Sequence, residues 1–83
     1  MVIKILGMGC ARCNQLENTT REVLKELAID ATIEHVKDMK KIMEYPILQT
    51  PGLVIDEKLV SSGRVPTKAE VTTFITTALA KEA

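Results

Sequence analysis

The residues with the most chemical reach are two cysteines three positions apart, in the run Gly7-Met8-Gly9-Cys10-Ala11-Arg12-Cys13. Thiols at that spacing either close a reversible disulfide or hold a soft metal ion between two thiolates. They are the only cysteines in 83 residues, so they do not form the many-bridged framework that braces small secreted domains. Closing so short a ring removes about 2 kcal/mol of unfolded-chain entropy, against about 4.7 for a 100-residue loop, which makes the pair a poor staple. Redox exchange or metal binding in a reducing, cytoplasmic compartment fits better. A closed structural zinc site needs four protein ligands, and the sequence offers Cys10, Cys13 and His35 at most. No resident metal and no cofactor is expected.

The surrounding sequence predicts how the sulfurs are held. Val2 to Leu6 reads as a strand, and the glycine-rich turn Gly7-Met8-Gly9 delivers Cys10 to the start of a helix of about four turns. Cys13, Leu16, Thr20, Val23, Leu24 and Leu27 recur on one face of that helix, with Asn14, Glu17, Asn18, Arg21, Glu22 and Lys25 on the other. Residues three apart on a helix are close enough for a disulfide without much backbone movement. The first turn also presents unsatisfied amides and the positive end of the helix dipole, which favour a thiolate at Cys10. Cys10, beside the glycines, is expected to be the exposed attacking thiol, and Cys13, on the apolar stripe, the resolving one. Arg12 adds positive charge inside the ring and is a candidate for tuning the Cys10 pKa.

The remaining elements follow from periodicity and breakers. A second strand near Ala31 to Val36 is parallel to the first if the helix is a crossover. Asp38 can cap a short helix that must stop near Tyr45, before Pro46. Leu53-Val54-Ile55 and Leu59 to Ser62 form a hairpin around Asp56-Glu57-Lys58. Pro66 and the capping box Thr67-Lys68-Ala69-Glu70 open a last helix with Val71, Phe74, Ile75, Ala78 and Leu79 on one stripe. The order β-α-β-α-β-β-α gives an α/β fold, a four-stranded mixed sheet with three helices, as one domain over residues 1–83.

Composition narrows the partners. Eleven Lys and Arg balance eleven Asp and Glu, so no overall positive field draws in nucleic acid or anionic lipid. The apolar opening is too short for a signal-peptide core or a membrane span. His35 reads as an edge or surface residue, and Met39, Ile42 and Met43 as packing on a core-facing helix. Lys37, Lys40 and Lys41 read as a solvated face, and Tyr45 as core filling.

The cysteine loop, the helix behind it, and the stretch Tyr45-Pro46-Ile47-Leu48-Gln49-Thr50-Pro51-Gly52-Leu53-Val54 together resemble the thioredoxin/glutaredoxin superfamily, especially its short archaeal and bacterial thioredoxin-like members. The resemblance implies a minimal thioredoxin-like fold and thiol–disulfide oxidoreductase activity. It also implies a cis Thr50–Pro51 bond, with Pro51 packed against the cysteines and the Thr50 backbone aligning substrate. Partners would be protein or small-molecule disulfides and a thioredoxin-reductase-like reductant. The chain departs from the family pattern at Gly9, where thioredoxins have tryptophan, and at Arg12, where they have proline. Lys4 stands in place of a buried aspartate, and Ser61-Ser62-Gly63-Arg64 in place of the glutathione-binding turn of glutaredoxins. The run from Gly7 to Cys13 also resembles the loop of heavy-metal-associated domains, and a copper(I) or similar carrier is the alternative. Those domains run β-α-β-β-α-β and finish on a strand, whereas this sequence finishes on a helix.

Overall fold

The computed structural model describes residues 1–9, 11–47 and 49–82. Its elements are β1 (Val2–Leu6), α1 (Ala11–Glu26), β2 (Thr32–Val36), α2 (Met39–Ile42), β3 (Gly52–Ile55), β4 (Lys58–Ser62) and α3 (Lys68–Glu82). The strands lie in the order β2-β1-β3-β4. β1 runs parallel to β2 and antiparallel to β3, and β3 is antiparallel to β4. This is the expected order and the minimal thioredoxin-like arrangement.

Strand alternation sorts the core into two layers. Ile3 and Ile5 of β1 and Leu53 and Ile55 of β3 pack with Cys13, Leu16, Val23 and Leu24 of α1 and with Val71 and Ile75 of α3. Leu6 and Val54 face the other way and pack with Ile42 of α2, with Val36, Tyr45, Ile47 and Leu59 around them. The central strand β3, covered on both sides, is buried at every position.

The helix boundaries have identifiable causes. At the end of α1 the Ile29 N–H donates to the Leu24 carbonyl (2.9 Å) and the Ala28 N–H to that of Lys25 (3.2 Å), while Ala28 takes a left-handed φ of 55°. That is a Schellman stop, closed by an alanine where glycine is usual. Leu27 therefore falls past the last helical residue and is exposed, contrary to its expected place on the apolar stripe. Asp38 caps α2 by accepting from the Lys40 N–H. With so short a helix only Ile42 reaches the core, and Met39 and Met43 are exposed rather than packed as expected. The hairpin turn is two residues long, with Asp56 and Glu57 both at positive φ, the geometry that matches strand twist.

Candidate active site

The turn after β1 is fastened to the neighbouring strand: the Gly7 N–H donates to the Val36 carbonyl at 3.0 Å, extending the β1–β2 pairing past the end of β1. α1 starts at Ala11, so the cysteine pair straddles the passage from this turn into the helix. Cys10 lies outside the described residues, as does Leu48 of the expected proline segment. Cys13 is fully buried, on the stripe that carries Leu16 and Thr20.

Gly7 lies against the Cys13 sulfur and near Thr50. A Cβ added to buried Gly7 would collide with Cys13 Sγ and would stand 3.9 Å from Thr50 Cβ. Glycine is required here by close approach: the bare backbone at position 7 fits between the thiol and the threonine. Gly9 is needed for a different reason, its φ of 87°. The Thr50–Pro51 peptide bond is cis, and Pro51 is buried. Its carbonyl accepts from the Gly63 N–H (3.0 Å), which ties the proline segment to the loop between β4 and α3. Arg12 reaches the same loop, donating from Nη2 to the Gly63 carbonyl at 3.4 Å. Thr50, Pro51, Arg12 and Cys13 thus meet at one end of the molecule. Arg64 is engaged elsewhere, with Glu70 on α3.

One nearby cation was not apparent from the sequence, where Lys37 belonged to a solvated face. A Cβ on Gly9 would stand 3.8 Å from Lys37 Nζ, so the ammonium lies over the residue before Cys10. The cause is the parallel register of β1 and β2, which pairs Leu6 with Val36 and brings the residues after each strand to the same end. Only the register reveals this.

Lys4 and Tyr45 lie on the α2 face of the sheet. Lys4 Nζ donates to the Tyr45 hydroxyl (3.2 Å) and to Glu57, and Tyr45 donates to Glu57 at 3.0 Å. The hydrogen bond from Lys4, then that from Tyr45, holds the Glu57 carboxyl below its ordinary pKa, and the Lys4 ammonium is correspondingly strengthened. Tyr45 therefore does more than fill space: it joins strand, loop and hairpin. His35 sits on edge strand β2, mostly covered, with Nδ1 at 3.4 Å from Glu17 of α1. It lies on the α1 side of the edge strand.

The model of the thioredoxin domain family matches residues 1–76. The chain belongs to the thioredoxin family. That is a family of thiol–disulfide oxidoreductases. A thioredoxin of Methanothermobacter thermautotrophicus is 46% identical over 71 residues, covering 86% of this chain and 92% of the relative. A thioredoxin of Methanocaldococcus jannaschii is 38% identical over 71 residues, covering 86% of this chain and 81% of the relative. Its element order, β-α-β-α-β-β-α, differs from the β-α-β-β-α-β of heavy-metal-associated domains. No helix among the described residues is long and apolar enough to cross a membrane.

Proposed function

We propose that the chain exchanges disulfides through Cys10 and Cys13, with Cys10 as nucleophile and Cys13 as resolving thiol. The observation that carries this reading is the position of Gly7 against Cys13 Sγ and near Thr50 at the head of α1, with Arg12 and Pro51 joined through Gly63. In the reducing direction, the Cys10 thiolate attacks one sulfur of a substrate disulfide. The other substrate sulfur leaves as a thiolate, and a mixed disulfide remains. Cys13, having lost its proton, attacks the Cys10 sulfur and releases the second substrate thiolate. Two electrons have then passed to the substrate, and the protein holds the Cys10–Cys13 disulfide.

Division of labour between the sulfurs follows from position. Full burial suits Cys13 to resolving and not to capture, because no bulky disulfide reaches it. Cys10 precedes a first helical turn that contains no acidic residue, so nothing there offsets the attraction of amides and dipole for a thiolate. Arg12 adds positive charge, and the Thr50 backbone, whose side chain lies near Gly7, aligns an incoming chain. Substrates are protein or small-molecule disulfides, and a thioredoxin-reductase-like partner in a reducing cytoplasm returns the pair to dithiol.

The test is insulin-disulfide reduction with dithiothreitol as electron source. The wild type is expected to turn over repeatedly. Cys10→Ser should abolish turnover, and Cys13→Ser should accumulate a mixed disulfide. Reduction that persists in Cys10→Ser would contradict the reading.

A further inference from the structure

The cysteine turn has a cationic neighbour that the exchange steps do not use. Lys37 follows Val36, the last residue of β2, and the Val36 carbonyl accepts from the Gly7 N–H at 3.0 Å, so the two chain segments leave the sheet side by side. The Lys37 side chain then lies over the turn. A Cβ added to Gly9 would stand 3.7 Å from Lys37 Cε and 3.8 Å from Nζ, ordinary contact distances. Gly9 has a φ of 87°, where a side chain would be strained. The glycine therefore puts nothing between the ammonium and the backbone that continues into Cys10.

The other charges around the turn are engaged or absent. The first turn of α1 holds no acid. Arg12 donates to the Gly63 carbonyl, which draws its guanidinium towards the loop between β4 and α3, and Arg64 of that loop is held by Glu70. On the cis-proline side Gln49, Thr50 and Pro51 do not titrate. Asp38, next to Lys37, accepts from the Lys40 N–H as the cap of α2. Lys37 is exposed and forms no ion pair among the described residues. Lys25, Lys40, Lys41 and Lys58 form none either, but they belong to the last turn of α1, to α2 and to the hairpin. Position singles out Lys37.

We infer that Lys37 is the principal side-chain cation favouring the thiolate at Cys10. It acts through Cys10 and takes part in no bond making, so it is a positioning residue that sets the readiness of the nucleophile. This inference rests on disulfide exchange at Cys10.

The experiment follows iodoacetamide alkylation of the reduced full-length protein across pH, with Cys10 identified by peptide mapping. At about 0.01 M ionic strength Lys37→Met should raise the Cys10 midpoint by about half a unit and Lys37→Glu by about one unit. Alkylation below the midpoints then slows about threefold and about tenfold. Lys37→Arg keeps the charge and should keep the wild-type midpoint. The differences should shrink at about 1 M salt, where the screening length is about 3 Å. Arg12→Met should move the midpoint less than Lys37→Met does.

Redox equilibrium gives a second readout. With glutathione disulfide, the protein dithiol gives up two electrons and two protons, forming the Cys10–Cys13 disulfide and two glutathione thiols. At a pH above both midpoints, Lys37→Met should shift this equilibrium about threefold towards the protein disulfide, because its thiolate is less stabilised. Wild-type midpoints in Lys37→Met and Lys37→Glu would overturn the inference. So would equal shifts in the two variants, which would mark a packing effect, or a larger shift in Arg12→Met. Those results leave disulfide exchange standing while the wild type reduces insulin, whereas a wild type that cannot reduce insulin would overturn both.

Discussion

The heads of α1 and α3 solve the same physical problem in opposite ways. Each exposes amides that have no helical partner and a partial positive charge. At α3 the chain answers with its own acid. The Thr67 N–H donates to the Glu70 carboxylate (3.1 Å), the Glu70 N–H donates to the Thr67 hydroxyl (3.2 Å), and Arg64 clasps the same carboxylate. These contacts, Arg64 first and the Thr67 backbone second, push the Glu70 pKa down to about 2. At α1 the first turn holds Ala11, Arg12 and Cys13 and has no acidic residue. One head is closed by side chains that stabilise it, and the other, in the proposed reading, is kept for the Cys10 thiolate.

Three substitutions probe that contrast. Gly7→Ala should act most strongly, because its new methyl group meets Cys13 Sγ, and relief of such overpacking costs about 1–3 kcal/mol. Urea unfolding of the reduced protein reads this, and a midpoint equal to wild type would mean that the packing around Cys13 is loose. Thr67→Ala removes the hydroxyl cap at α3 and should cost about 1 kcal/mol. Its disulfide-exchange rate should not change, since the cap is separate from the cysteine turn, and a parallel fall in rate would show that the two helix heads are coupled.

The smallest effect is the pH dependence contributed by Glu70. Its folded pKa lies below the ordinary 4.5, at about 2, so its contribution is complete above pH 4.5 and is lost as pH falls through about 2. Glu70→Gln keeps an acceptor for the cap but removes the titration. The stability difference between wild type and variant should therefore shrink across that window, and a constant difference would contradict the assignment.

Local pairings were legible in the sequence. The Thr67–Glu70 box, Asp38 as cap of α2, and Cys13 in phase with Leu16, Val23 and Leu24 all depend on residues a few positions apart, whose geometry the helix itself dictates. What depends on register or on a rare conformation was not legible. Ala28 carries no mark of its left-handed φ, so neither the end of α1 nor the exposure of Leu27 can be read from the sequence. Met39 and Met43 have the composition of core residues, but a four-residue helix offers the sheet a single seat, and Ile42 takes it. Lys37 reaches Gly9 because β2 lies beside β1 in one particular alignment.

The account depends on the α1 head being reserved for a thiolate. The most direct measurement is the rate of iodoacetamide alkylation of the reduced protein as a function of pH, with the modified cysteine identified by peptide mapping. Cys10 should be alkylated first, with an apparent pKa below the roughly 8.5 of an unperturbed thiol. Alkylation at Cys13 first, or a Cys10 midpoint at or above about 8.5, would contradict it.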